Sequence, residues 1–316
     1  MIEKLAKADL HFHYDGSLSP KVILSALPSI EHRAIQSLSL EGPVKNTADF
    51  FAIFNSIFEL FDSETILLNI LRALLLEEHE AGIELLDFRF GCGALTKRLK
   101  RSEKEVLEVF ARSFKSARDL GLEICPTLCF SRYESAERSD FLTEFVLENR
   151  NLIYAVDLEG DNTRPTREFG AYFRRLKDAG LNITIHAGEF AGPEQVWEAL
   201  DYCGADRIGH GYTIIEDQEL LKRIVRDQIP VEVCLTSNYL TGVCKDLEHH
   251  PFVKMIEAGV PVILCTDDQA IFKTSLADEY HKAWQILSGN GYNPDSILAT
   301  ISANSKKFFF KQKERR

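Results

Sequence analysis

Asp9-Leu10-His11-Phe12-His13-Tyr14-Asp15-Gly16-Ser17, near the amino terminus, is the stretch on which the rest of the chain depends. A β-strand sends alternate side chains to one face, so Asp9, His11, His13 and Asp15 are expected on one side, with Leu10 and Phe12 on the other. A lone histidine on such a face reads as a satisfied core residue. Two at i and i+2, followed by Asp-Gly, form a candidate metal-ligating pair, imidazole being the commonest nitrogen ligand of zinc and related ions. The missing ligands must then come from distant strands, so the number and order of the strands decide the matter.

Apolar, β-rich runs recur near residues 8–13, 83–90, 122–129, 152–158, 182–187, 206–210, 230–236 and 260–267. Between them apolar residues repeat at three- and four-residue spacing, in Ile66–Leu76, Val106–Leu120, Phe169–Leu176, Glu194–Leu200, Gln218–Val225 and Phe252–Ile256. Strands alternating with helices pair in parallel. Eight of them without a Pro/Gly/Ser linker predict one α/β domain over residues 1–316, a single (β/α)8 TIM-type barrel. Such barrels take about 250 residues plus insertions. Extra helices are expected between strands 1 and 2 and at the C-terminus, where Ser275–Leu287 and Asp295–Phe310 read as helical. The long interval after strand 1 carries Phe50, Phe54, Phe58 and Phe61 on one helical face. These read either as a core-packing stripe or as an aromatic lid over an apolar ligand.

With 45% hydrophobic and 27% charged residues the chain has the composition of an ordered globular protein. A net charge of −11 disfavours a nucleic-acid partner, whose phosphates call for Lys and Arg. Seven scattered cysteines suggest neither a disulfide framework nor a thiolate zinc site. No apolar run approaches the roughly 20 residues of a membrane span, and the first residues lack a signal-peptide pattern. The expectation is a cytoplasmic protein with a small-molecule partner, no membrane association and no protein partner. The basic tail from Lys306 to Arg316 reads as a solvated helix end.

A barrel builds its active site at the C-terminal ends of its strands. Polar residues fall there: His11 and His13 on strand 1, His186-Ala187-Gly188-Glu189 on strand 5, His210 on strand 6, Thr266-Asp267-Asp268 on strand 8. Singly each has an ordinary explanation, a turn residue or a helix cap; four coincident polar strand ends do not. Three histidines and an aspartate can hold one divalent ion and leave a position open for water, whose pKa the ion lowers. Glu189 could shuttle a proton. The reaction class is metal-assisted hydrolysis or hydrolytic deamination. His32, His79, His249, His250 and His281 read as surface or packing residues.

His11-Phe12-His13-Tyr14-Asp15-Gly16-Ser17, Asp157-Leu158-Glu159-Gly160-Asp161, His186-Ala187-Gly188-Glu189, Arg207-Ile208-Gly209-His210-Gly211, Glu232-Val233-Cys234-Leu235-Thr236-Ser237-Asn238 and Thr266-Asp267-Asp268 together resemble the adenosine deaminase family of the amidohydrolase superfamily. The resemblance implies one divalent metal ion, expected to be zinc, on His11, His13, His186 and Asp267. It implies that Glu189 protonates purine N1 while C6 is attacked, that His210 orients and deprotonates the attacking water, and that Asp268 accepts a hydrogen bond from it. Gly160 would meet purine N3, Asp15 a ribose hydroxyl, and Phe51 and Phe54 would belong to a lid, with Phe58 and Phe61 left to packing. The implied substrate is a 6-aminopurine, with adenosine or 2′-deoxyadenosine ahead of adenine, an N6-modified adenine nucleotide or 6-aminodeoxyfutalosine. Gln269, Leu235, Asn162 and Asp87 depart from the family's usual residues, around the substrate more than around the metal. A non-catalytic metal-stabilised binding barrel is the alternative from a different class, and intact Glu189 and His210 argue against it. Amidohydrolases acting on amides or phosphoesters commonly hold two metals, often bridged by a carboxylated lysine, and no lysine closes strand 4 here.

Overall fold

The computed structural model describes residues 2–160 and 164–312, with only the backbone at His32. Asp161 and Asn162 therefore lie outside the described residues. Eight strands, β1 (Ala8–His13), β2 (Leu85–Phe90), β3 (Glu123–Ser131), β4 (Ala155–Glu159), β5 (Asn182–Ala187), β6 (Arg207–His210), β7 (Val231–Val233) and β8 (Val262–Leu264), form one sheet in sequence order. Every neighbouring pair is parallel. Phe12 bridges to Asp267 just beyond β8, with Asp267 N–H donating to His11 O at 2.8 Å, and this closes the circle. The fold is a (β/α)8 barrel.

Strands 7 and 8 are shorter than their apolar runs suggest. After Val233 the chain turns into the helix Leu235–Leu240, because the Thr236 backbone N–H donates to Glu279 at 3.1 Å instead of extending a ladder. The helix Ala136–Glu148, between β3 and β4, is absent from the periodicity reading. It buries Ser139 and Thr143 alongside Leu142, Phe145 and Val146, which interrupts the apolar stripe, yet Ser135 caps it by accepting from Arg138 N–H at 3.2 Å.

Strand β1 carries a bulge: between Asp9 and Phe12 the register with β2 slips by one residue. Leu10 and Phe12 therefore do not share surroundings. Leu10 joins a small inner cluster with Cys125, Ala155, Phe309 and Phe310, and Phe12 packs in the large shell between sheet and helices. Asp9 bonds Thr266 Oγ1 at 2.6 Å instead of facing the histidines. Asp15 leaves the strand altogether and opens a 3-10 turn, Asp15–Ser17.

The barrel interior is charged. Arg89, Asp157, Arg207 and Glu232 are wholly buried, as is Asp87, which pairs with both Arg207 and Thr127. The Arg207 guanidinium rests 3.5 Å from the centre of the Phe310 ring. None of the described helices is long and apolar enough to cross a membrane.

Candidate metal and catalytic site

Three imidazoles converge at the top of this interior. His11 Nε2 lies 3.0 Å from His186 Nε2, and His13 Nε2 lies 3.3 Å from each of them. Asp267 Oδ1 completes the group at 3.4 Å from His11 Nε2 and 3.6 Å from His13 Nε2. Ligands bound to zinc at about 2.0–2.1 Å in a tetrahedron stand about 3.3–3.4 Å apart, so the four atoms fit one such ion. His210 also comes near, an atom of it lying within 4.8 Å of ligating atoms on His11, His186 and Asp267.

Each imidazole has a carboxylate behind it. His11 Nδ1 donates to Glu232 Oε2 at 2.9 Å. His186 Nδ1 stands 2.9 Å from Asp157 Oδ2, and His13 Nδ1 3.3 Å from Glu159 Oε2, both short contacts with the N–H bent off line. Such partners hold the proton on Nδ1 and leave the Nε2 lone pair for a metal. Ser237 Oγ donates to Asp267 Oδ2 at 2.7 Å and leaves Oδ1 facing the histidines. None of these supporting groups was singled out from sequence. Glu159, Asp157, Glu232 and Ser237 all stand in the quoted motifs, but without an assigned task.

Two of the site residues have backbones that non-glycine residues seldom adopt: His210 at φ +63° and Asp267 at φ +67°. Such strain is tolerated where the surroundings fix it, typically at functional sites. Gly16 is required for a different reason, since a Cβ there would stand 1.8 Å from Asp268 Oδ1.

Ten of the eleven residues expected at the site line one cavity of about 380 Å3: His13, Asp15, Phe51, Phe54, Gly160, His186, Glu189, His210, Asp267 and Asp268. His11 lies beneath, fully buried. His210 Nε2 and Glu189 Oε2 face each other at 3.5 Å. Burial, reinforced by Asp267, pushes Glu189 well above the usual carboxylate range. Burial and then Glu159 raise Asp15 to about 7. Burial and neighbouring Asp267 likewise push Asp268 far up.

Phe50 and Phe58 line the cavity as well, so Phe58, assigned to packing from sequence, does both; Phe61 is fully buried. Phe51 meets the exposed Tyr133, also a lining residue, edge-on with ring centres 6.3 Å apart. The three departures from the family pattern that lie among the described residues fall elsewhere. Asp87 belongs to the barrel interior, Leu235 is buried, and Gln269 bonds Glu78 beside a separate cleft; none of the three lines the cavity.

A (β/α)8 barrel with histidines on the first and fifth strands and an aspartate beyond the eighth places the protein in the amidohydrolase class. The profile of the adenosine deaminase family matches residues 6–316, and the chain belongs to that family. An adenosine deaminase of Vibrio parahaemolyticus is 32% identical over 297 residues, covering 90% of this chain and 88% of the relative. Among solved structures, an amidohydrolase from Burkholderia ambifaria with bound Zn superposes with a TM-score of 0.86 at 21% identity, over 98% of this chain and 87% of that one. An Arabidopsis N6-mAMP deaminase does so with 0.83 at 23% identity, over 99% and 95%.

Proposed function

We propose that the chain, acting as one domain over residues 1–316, is a zinc-dependent hydrolase that converts adenosine and 2′-deoxyadenosine to inosine and 2′-deoxyinosine, releasing ammonia. The observation that carries this reading is the meeting, in one aromatic-walled cavity, of the four-atom ligand set with the facing Glu189 carboxyl and His210 imidazole. A divalent ion on His11, His13, His186 and Asp267 would bring the pKa of a bound water toward neutrality.

The remaining roles fall to the chain's own groups. Glu189, kept protonated by burial, donates to purine N1 and makes C6 electrophilic. His210 and Asp268 flank the position where an oxygen nucleophile adds to C6; the C6–O bond forms, the C6–N bond breaks, and ammonia leaves. Gly160 offers its backbone to N3, Asp15 holds a ribose hydroxyl, and Phe51 and Phe54 cover the purine.

The lining favours a nucleoside over a nucleotide. Arg138 is its one Lys or Arg among the described residues, and it is committed to Glu103 at 2.6 Å. Asp15, Glu134 and Glu159 share the same wall, so a 5′-phosphate would meet carboxylates. Seven unpaired, buried cysteines support a cytoplasmic setting.

The test is release of ammonia from adenosine, 2′-deoxyadenosine, adenine and 6-aminodeoxyfutalosine, and of methylamine from N6-methyl-AMP, by zinc-loaded protein. Highest kcat/KM on the two nucleosides supports the reading. Release from none of the five would overturn it.

A further inference from the structure

His250 was set aside from sequence as a surface or packing residue, yet it is 2% exposed and points at the catalytic wall. Its Nδ1 accepts from the Phe252 backbone N–H at 3.1 Å. A backbone amide can only donate, so the proton of neutral His250 sits on Nε2. That Nε2–H reaches Asn238 at 3.1 Å, which identifies the facing atom as Oδ1 and turns the amide nitrogen the other way. Asn238 Nδ2 then donates to His210 Nδ1 at 3.2 Å. A lone pair must receive it. The neutral His210 ring therefore carries its proton on Nε2, the nitrogen that faces Glu189.

We propose that His250 and Asn238 are positioning residues that fix His210 as its Nε2–H tautomer, through a one-way hydrogen-bond relay starting at the Phe252 amide. The inference rests on the deaminase reading for its kinetic meaning and on geometry alone for the tautomer. It changes what His210 does. An Nε2 that already holds a proton cannot take one from the attacking water, as the family resemblance led us to expect; it donates a hydrogen bond to the oxygen adding at C6. The water's protons, one leaving with the ammonia and one restoring the Glu189 carboxyl, move without passing through His210 Nε2.

Nothing along the relay offers a competing proton. His250 stacks edge-on against Tyr212, ring centres 5.3 Å apart, and burial pushes its pKa down to about 3, so it stays neutral at working pH. Asn238 is wholly buried, and an amide cannot titrate. A backbone amide, a neutral ring and a carboxamide give the relay one direction over the whole useful pH range.

The direct test is the imidazole 15N spectrum of zinc-loaded protein labelled with 15N-histidine, His210 being assigned by comparison with His210→Gln. Protonated Nε2 with hydrogen-bonded, unprotonated Nδ1 is the expected result. Protonated Nδ1 would overturn the relay. Kinetics supply the second arm: Asn238→Ala and His250→Ala should lower kcat on adenosine about 10–100-fold, the scale of losing an orienting partner, with KM within about twofold and zinc content unchanged. His250→Gln, whose Oε1 can accept from Phe252 N–H and whose Nε2 can donate to Asn238, should recover most of the loss. Equal loss in His250→Ala and His250→Gln would reduce His250 to packing and refute its role. Should the wild type deaminate nothing, the proposed function fails while the spectrum still decides the tautomer.

Discussion

Glu232→Gln is the substitution that most directly tests how the barrel interior supports the site. Glu232 Oε2 accepts from His11 Nδ1 at 2.9 Å and Arg89 Nη2 at 2.7 Å; Oε1 accepts from Arg207 Nε at 2.6 Å and Thr184 Oγ1 at 3.1 Å. All four partners donate. A glutamine has one acceptor oxygen and an amide that itself donates, so two of the four lose their acceptor. The threonine hydroxyl can turn around, but a buried guanidinium cannot. Breaking a buried charge pair costs about 3–5 kcal/mol. With an unfolding entropy of about 2.1 cal/mol/K per residue over 316 residues, the metal-free variant should melt about 5–8 °C below wild type. Whichever way the amide sits, the charge behind His11 is gone, so zinc affinity should drop about 10–100-fold. Scanning calorimetry of metal-free protein and chelator competition measure the two effects. A melting point within about 2 °C of wild type, with unchanged zinc affinity, would refute the assignment of Glu232 as the junction between barrel interior and metal site.

Four further outcomes follow from individual residues. Burial raises Glu78 to about 8 in the folded protein, whereas the unfolded chain releases that proton near 4.5, so stability should fall as pH climbs between these values, by at most about 5 kcal/mol. Glu78→Gln should flatten the melting temperature between pH 5 and 9, and parallel curves would exclude Glu78 as the source. Glu189→Gln should reduce kcat about 100–10,000-fold with one zinc still bound per chain; lost zinc would make Glu189 a ligand. Asp15→Ala should raise KM for nucleosides far more than for adenine, and equal effects would remove the ribose assignment. Burial alone would lower His13, but Glu159, Asp268 and Asp267 outweigh it and raise it to about 10 in metal-free protein. Zinc binding near pH 7 should therefore expel about one proton, measurable by titration calorimetry in two buffers, and tighten as pH rises; no proton release would contradict the pairing.

The strand ends that meet in the cavity were legible because they break an apolar run: His186 and His210 follow Ile185 and Gly209, and Asp267 follows Cys265-Thr266. The supporting groups were not, since a carboxylate such as Glu232 between two valines looks the same whether it faces an imidazole or solvent. Strand alternation gave His11 and His13 their common direction, but a bulge, invisible in composition, sent Asp9 away and turned Leu10 inward. The helix Ala136–Glu148 escaped because tertiary packing buried serine and threonine on its inner face. His250 looked ordinary in His249-His250-Pro251; only the fold brings it to Asn238, and His249 beside it is exposed on Asp246. The residues that depart from the family pattern were placed around the substrate by sequence position. In space Asp87 proved to be part of the charged interior.

That interior explains why so polar a core accompanies the site. Arg89 and Arg207 face Asp87, Asp157 and Glu232, leaving one negative charge inside the barrel. Asp267 above them adds a second. Buried ions are stable only when compensated, and the compensating charge called for at the three Nε2 atoms is that of a divalent cation. The arginines serve the ligands in turn: Arg89 draws Asp157 and Glu232 into place by contacts of 3.0 and 2.7 Å, and those two carboxylates face the Nδ1 atoms of His186 and His11. An apolar lumen could close the same barrel, but it would leave two of the three imidazoles free to choose their tautomer and no net negative charge beneath them. On this account the charged lumen is the lower half of the metal site.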